Sequence, residues 1–274
     1  MSRPTVSAII VSFHTGPRLK ECLYSLLSDP DVDEIVIIDN GNPDDMTTWL
    51  SQFARQHSAV RLIVGHGNVG FGAGINRGVA IAKGPHLLIL NPDAALRWNS
   101  LPGMQAVAET CPTPWIIGGK IYDLYGREER GARRKKLTLW RAVTSFVGWN
   151  TWTLEHRPPP EGPVDMPVIS GAFFLTSTAS MATLGGFDEA YFLHVEDVDL
   201  CRRCGEQGGR VIYDPRAGAL HYGSTSGAPS AVVQRHKADG LAYYFRKFAH
   251  GPLEKLIVAS VLPLMRLGLA LTRR

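Results

Sequence analysis

The sequence predicts an α/β chain: a mostly parallel, Rossmann-like central sheet flanked by helices, with a helical tail at the C-terminus. Three observations carry that expectation. Four short apolar runs rich in Val, Ile and Leu alternate with stretches of helical spacing over the first hundred residues. Two of those runs end in an acid, Asp39 and Asp93, as strands do where a parallel sheet opens onto a ligand. Hydrophobic residues make up 45% of 274, enough to bury a large core in one sizeable domain or two small ones.

The elements follow in order. "VSAIIVSFH" is a buried strand; the run from Val6 to Phe13 has no charged leader and no cleavage site, so it is not a signal peptide. "PRLKECLYSLL" places Leu19, Cys22, Leu23, Leu26 and Leu27 on one helical face. "DEIVIIDNGNPDD" is a second strand ending at Asp39, followed by a turn, and "MTTWLSQFARQ" is a helix. "VRLIVG" is a third strand. "NVGFGAGINRGVAIAKG" is a Gly-rich loop entering a helix, and "PHLLILNPDAAL" is a fourth strand with a polar end. Residues 123–165 differ: they are basic, contain Trp140, Trp149 and Trp152, and end in "RPPPEGP", which reads as an insertion or mobile arm, helical around "LTLWRAVTSFVGW". "MPVISGAFFLTSTASMATLGGFDEAYF" resumes strand and helix patterns, and after Asp214 the chain turns helical.

Charge narrows the function classes. The formal net charge is +4 with a pI near 8.9, too mild to imply nucleic acid. The cations are uneven, however: Arg127, Arg130, Arg133, Arg134, Lys135, Lys136 and Arg141 lie close together, as a solvated loop or as an attractor for a lipid head group or a pyrophosphate. Of the four cysteines, Cys201 and Cys204 form a CxxC with no second Cys or His pair at zinc spacing, so they read as reduced thiols on one helix face. In the tail, "LEKLIVASVLPLMRLGLALTRR" holds an apolar stretch of about ten residues, well short of the ~20 that span a bilayer. Two readings stand side by side: a helix packed on the domain, and an interfacial helix with Lys255, Arg266, Arg273 and Arg274 near head groups.

Several residues suit chemistry. Asp93 after a core strand can hold a divalent cation that neutralises a diphosphate, though Asn-Pro-Asp also makes a plain turn with a helix cap. Asp39 is placed to accept from a ribose or a base, and has the same turn alternative. Gly70, Gly72 and Gly74 follow the third predicted strand, not the first, which weakens a dinucleotide-fingerprint reading and leaves close helix–sheet packing. Asn68 and Asn76 offer amides to a nucleotide. His221 in "LHYGSTSG" is a structural hydrogen-bonder or, with Asp93, a second metal ligand. "FLHVEDVDLCRR" crowds Glu196, Asp197 and Asp199, either as a helix start or as a site that handles a proton or cation.

These stretches occur in the order seen in family 2 glycosyltransferases, and "VSAIIVSFHTGPRLKECLYSLL", "EIVIIDNGNPDD", "NVGFGAGINRG", "LLILNPDA", "GAFFL", "LGGFDEAYFLHVEDVDLCRR" and "HYGS" most resemble the rhamnosyltransferase-like branch that builds bacterial surface polysaccharides. The resemblance covers about residues 5–225. It implies a GT-A domain over 1–225, a tail over 226–274, and inverting transfer from a dTDP-, UDP- or GDP-sugar, with Mg2+ or Mn2+, to a saccharide or lipid-linked acceptor. It implies donor contacts at Ser12, Asp39, Asn68, Asn76 and Asp93, a metal at Asp93 and His221, and Asp197 as base. Glu196 then orients Asp197 or the acceptor, and Asp199 becomes a surface or cap residue paired with Arg203. Asn91 stands where the family's metal motif has its first acid. Nucleotide sugars are cytosolic, so the expected location is cytoplasmic, peripheral on the inner-membrane face if the tail meets anionic lipid. The alternatives are a nucleotidyltransferase and a non-catalytic subunit of a polysaccharide assembly complex.

Overall fold

Seven consecutive buried residues form β1 (Val6–Ser12) and six form β2 (Glu34–Asp39) in the computed structural model, which describes residues 3–129, 131–146, 158–223 and 229–271. A strand buried on both faces needs cover on both, and the chain supplies a helix after each strand. α1 (Arg18–Leu27) follows β1, and α2 (Asp44–Gln56) follows β2. β3 (Val60–Ile63) leads into α3 (Phe71–Ile81), and β4 (His86–Leu90) closes a parallel half-sheet in the order β3-β2-β1-β4. In its register Ser12 lies opposite Asp39, so the two polar ends stand level at the carboxyl edge.

The sheet is mixed and not parallel throughout. The stretch read as one fourth strand splits at Asn91-Pro92-Asp93. β4 stays in mid-sheet, while β5 (Ala94–Leu96) lies on the far edge, antiparallel to β11 (Arg210–His221). Pro92 has no N–H to give a ladder, so the strand cannot continue through it. β10 (Phe173–Ser177) runs antiparallel between β4 and β6 (Trp115–Tyr122). β11 corrects a second expectation: the chain does not turn helical after Asp214. It resumes beyond an irregularity between Asp214 and Gly218 and carries His221 into register with Ala94.

The basic segment is partly built into the body. β7 (Arg133–Arg134) pairs with β9 (Val168–Ile169), and β8 (Val164–Asp165) joins β11. Arg133 is buried and its Nε donates to both Glu128 oxygens at 3.0 and 3.1 Å. α5 (Leu139–Phe146) matches the helix expected around Trp140, whereas Arg130, Trp149 and Trp152 lie outside the described residues. α4 (Leu101–Ala108) and α6 (Thr178–Leu184) cover the sheet, and α7 (Glu196–Glu206) carries the acid cluster. Cys201 and Cys204 are both buried on α7 with free thiols, which burial pushes up to about 12.

Asp199 is not a surface residue. It is fully buried; Oδ1 accepts from Arg203 Nε at 2.5 Å, and Oδ2 accepts from Lys247 Nζ at 2.6 Å and Tyr191 Oη at 3.2 Å. The pairing with Arg203 holds, but Lys247 at the end of α8 (Ser230–Lys247) reaches the same carboxylate and Asp188 as well. α8 is thereby tied to α7 and to the turn before it. Lys247→Met leaves Asp199 with one cation in place of two. Removing a partner from a buried ion pair costs ~3–5 kcal/mol, and with Arg203 retained the lower end is expected, about 3 kcal/mol. Thermal unfolding should show Tm lower by roughly 6–10 °C for a chain of this size. A Tm within 1–2 °C of wild type would mean that the ion pair contributes no net stability.

Candidate active site

At the shared edge of β1 and β2, Asp39 holds its own turn. Oδ1 accepts from the Gly41 and Asn42 N–H groups at 2.9 and 2.8 Å and from Asn42 Nδ2 at 2.9 Å; Oδ2 accepts from Thr47 Oγ1 at 2.7 Å. Burial raises its pKa, but these bonds outweigh burial and leave it below the ordinary value. Ser12 is buried against Thr15 and Asn42, with Asn42 Nδ2 donating to its Oγ at 3.0 Å. Both residues form the rim at the strand ends, with most of their polar atoms engaged in shaping it.

The Gly-rich loop is a packing device. Gly70 has φ 90°, and a Cβ there would lie 2.5 Å from the Phe192 carbonyl oxygen. That carbonyl also accepts from Phe71 N–H at 3.0 Å, which docks the start of α3 against the loop leading to the acid cluster. Gly78 likewise lets α3 close on Ile9 of β1. Asn68 is exposed, and its Oδ1 accepts from Gly70 N–H at 3.0 Å. Asn76 is occupied elsewhere: its Nδ2 donates to the Phe187 carbonyl and Glu189, both at 2.9 Å, and its Oδ1 accepts from Phe187 N–H at 2.9 Å. The amide that the sequence offers to a nucleotide instead fixes the turn before the acid cluster.

Asp93 and His221 meet. The register of Ala94 with His221 sets them side by side, with His221 Nε2 3.2 Å from Asp93 Oδ1 and 3.3 Å from Asn91 Nδ2. The opposite ring nitrogen, Nδ1, lies 3.0 Å from both oxygens of Glu129. Burial lowers the imidazole pKa, but the bonds to Asp93 and Glu129 win and carry it up to about 9. Glu129 was not singled out from sequence; it lies in the basic segment, 92 positions from its partner. No group of three or more His, Cys, Asp or Glu suited to a metal occurs among the described residues, so the protein supplies a pair of donors here.

The acid cluster is entered through strained backbone. His194 and Val195 have φ 69° and 75°, consecutive left-handed residues without glycine, each costing ~1–3 kcal/mol. They aim the first turn of α7. Asp197 Oδ1 accepts from Val198 N–H at 2.8 Å, and Oδ2 accepts from Gly171 N–H at 3.0 Å and from Arg134 NH2 of β7. Gly171 eases this approach, because a Cβ there would lie 3.1 Å from Asp197 Cβ, tight enough that Asp197 would have to give by a few tenths of an ångström. Its neighbour Ala172 accepts from Asn91 N–H at 2.8 Å, so two adjacent residues tie the Asp93 turn to Asp197. Glu196 is buried with Oε2 unpartnered; burial, reinforced by the charge of Asp197, pushes its pKa well above the ordinary carboxyl value. Gly171 sits in "VISGAFF", whose lone glycine inside an apolar run was the signal available for a close approach. Arg134 could not be told from the other cations around it.

Known proteins add to this geometry. The family model described as "Glycosyl transferase family 2" matches residues 7–183. An N-acetylglucosaminyl-diphospho-decaprenol L-rhamnosyltransferase of Mycobacterium tuberculosis is 29% identical over 248 residues, covering 83% of this chain and 80% of that protein. Rhamnosyltransferase WbbL of Escherichia coli K12 is 28% identical, covering 79% of this chain and 83% of that one. Among solved structures, GalNAc-T7 with UDP, GalNAc and Mn2+ superposes with a TM-score of 0.67 at 16% identity. The match takes in 88% of this chain and 47% of that one, so this chain spans about half its length. The mannosyltransferase PcManGT of Pyrobaculum calidifontis, in complex with GDP-Man and Mn2+, superposes with a TM-score of 0.62 at 17% identity, over 98% of this chain and 74% of that one. At those identities the two structures speak to the fold, which is GT-A.

Proposed function

The chain belongs to glycosyl transferase family 2, and from that premise we propose that it moves a sugar, L-rhamnose as in its relatives, from a nucleoside-diphosphate donor to a saccharide or lipid-linked acceptor in surface polysaccharide synthesis. The transfer inverts the anomeric centre. The observation that carries this reading is the short backbone link through Ala172 and Gly171 that joins the Asp93–His221 corner to the Asp197 carboxylate. A donor diphosphate at the first and an acceptor hydroxyl at the second would face each other across one sugar ring.

The donor set fits a divalent cation. Asp93 gives a carboxylate oxygen, and His221, charged in the ligand-free protein, would give its Nε2 once a bound cation displaced the proton there, with the opposite nitrogen fixed by Glu129, the arrangement that orients a ligating histidine. Asp93 and His221 would hold Mg2+ or Mn2+, whose charge offsets that of the departing diphosphate. Ser12, Asp39 and Asn68 form the rim for the nucleoside. Asp197 takes the proton of the acceptor hydroxyl as its oxygen bonds to the anomeric carbon. The anomeric carbon–oxygen bond breaks on the opposite face, and its electron pair leaves with the nucleoside diphosphate. Glu196, buried beside Asp197, orients the base or the acceptor. A nucleotidyltransferase would want a basic Gly-rich loop after β1, and Phe13–Pro17 contains no Lys or Arg.

A thermal-shift panel tests the donor. With Mn2+ present, one of the UDP-, GDP- or dTDP-sugars at ~100 times its Kd should stabilise the protein by about 2.7 kcal/mol, several degrees in Tm. No shift with any of them would remove the donor reading and favour a non-catalytic role.

The location we propose is the cytoplasmic membrane face. No helix among the described residues is long and apolar enough to cross a membrane. α9 (Pro252–Leu271) buries Val258 against the body and leaves Leu253, Leu256 and Ile257 exposed, with α5 and its exposed Trp140 alongside. One face of α9 is thus packed and the other exposed, and the exposed face is the one the interfacial reading would use. The Arg266 side chain, Arg273 and Arg274 lie outside the described residues. Co-sedimentation with anionic liposomes should fall at least about tenfold, ~1.4 kcal/mol of lost burial, on changing Leu256 and Ile257 together to Glu. Wild-type protein that stays in the supernatant would show that lipid is not the partner.

A further inference from the structure

α8 runs back along the loop that leads into the acid cluster. Tyr243 packs edge-on against Tyr191 at 4.9 Å, and Gly240 meets His194 so closely that a Cβ would lie 2.9 Å from the His194 carbonyl oxygen. One turn nearer the helix start, the His236 ring stacks on Phe192, with centroids 4.4 Å apart and planes inclined by 26°. Lys247 already ties the far end of α8, so this stack is not the helix's only attachment. Phe192 stays 37% exposed, and His236 is half-buried. Between Phe192 and the candidate base stands His194, whose left-handed backbone fixes where its side chain goes. That side chain is exposed, yet the protein around it lowers its pKa, first by desolvation and then through the charge of Lys237, with Asp197 and Arg134 also within electrostatic reach. An exposed ring in desolvating surroundings lies in an open cleft, and the lowered pKa keeps it neutral at pH 7. Neither imidazole has a hydrogen-bond partner among the described residues.

We propose that Phe192, His194 and His236 form the seat of the acceptor sugar: a pyranose lies with an apolar C–H face on the Phe192–His236 pair and presents to His194 a hydroxyl next to the one that Asp197 deprotonates. The proposal rests on the glycosyl-transfer reading and on Asp197 as its base. A pyranose has both characters that the three side chains match, C–H faces and a rim of hydroxyls. Small-ligand sites are lined by aromatic rings with a few placed polar groups in this way. A hydroxyl both donates and accepts a hydrogen bond, and so does a neutral imidazole. α8 thereby belongs to the acceptor site, and the catalytic unit extends beyond residue 225.

Saturation-transfer NMR on the full-length protein, with Mg2+ and with UDP, GDP and dTDP in turn, reads this contact without turnover. The probes are the methyl glycosides of glucose, galactose, mannose and N-acetylglucosamine. Saturation should pass from the protein to the ring C–H protons of at least one of them. Phe192→Ala and His236→Ala should each weaken that binding about tenfold, whereas His236→Phe, which keeps a ring, should stay within about twofold of wild type. His194→Asn tolerates the left-handed backbone and should still bind more weakly, because its shorter side chain does not reach the hydroxyl. A wild type that passes saturation to none of the probes overturns the proposal. So do alanine variants that bind as tightly as wild type, and a His236→Phe variant as weak as His236→Ala. The thermal shift caused by the donor nucleotide sugar keeps the fold and the donor reading apart from this result, and every variant should retain it. A variant that loses that shift together with the pyranoside overturns the proposal, because the ring pair would then hold the body together and not the acceptor. A wild type with no donor shift that still binds pyranoside through these rings removes the transfer reading while the saccharide seat stands.

Discussion

Asp197→Asn is expected to nearly abolish transfer while donor binding stays close to wild type. The substitution keeps the size of the side chain and leaves Oδ1 to accept from Val198 N–H, but an amide does not take a proton from the acceptor hydroxyl. General-base catalysis is typically worth ~10²–10⁴-fold, so kcat should fall by about that much. KM for the donor should change little, because the Asp93–His221 corner is reached through Asn91 and Ala172 and not through the carboxylate itself. Burial is the main cause of the raised Glu196 pKa, and the Asp197 charge adds to it; the substitution removes that charge, so Glu196 should titrate lower in the variant than in the wild type. Steady-state kinetics with donor binding measured separately decide the matter. A variant that kept most of its kcat would show that Asp197 is the wrong acid, and Glu196 would be tested next.

What was legible in the sequence was what depends on near neighbours. Runs such as Ala8–Val11 and Ile35–Ile38 can only be central strands, since their side chains are apolar on both faces. Asp39 and Asp93 stand out because an acid directly after such a run must sit at the edge of the sheet. What was not legible depends on which distant segment arrives alongside. Pro92 announces a break, but nothing local says that Ala94 will lie beside β11, and that pairing is what delivers His221. Asp199 looked like a surface partner for Arg203 because i,i+4 pairs usually are; it is buried, and its second cation, Lys247, comes from 48 positions away. Arg134 and Glu129 read as part of a solvated basic stretch because short strands such as β7 have too few residues to show a period. The glycines from Gly70 to Gly78 were visible as a pattern, and the structure gives them the plainer of their two meanings.

The second large effect should come from the Asp93 corner, read as a difference between two conditions. Asp93→Ala removes the carboxylate that faces Nε2 of His221 among the described residues, leaving the imidazole beside Asn91. With Mn2+ present, affinity for the nucleoside diphosphate should drop by at least the 10–100-fold that loss of even an indirect partner of a metal typically brings. In EDTA the wild type and the variant should bind alike, because the proposed nucleoside contacts at Ser12, Asp39 and Asn68 are untouched. Glu129→Gln supplies the graded case. It leaves both candidate ligands in place but replaces a charged partner of Nδ1 with a neutral one. Its loss in Mn2+ should therefore be smaller than that of Asp93→Ala and again absent in EDTA. Calorimetric titration of the nucleoside diphosphate into the three proteins under both conditions gives six affinities. Wild type and Asp93→Ala binding equally well in Mn2+ would mean that no cation is held there, and Asp93 would then be read as the turn-former that its Asn-Pro-Asp setting also allows.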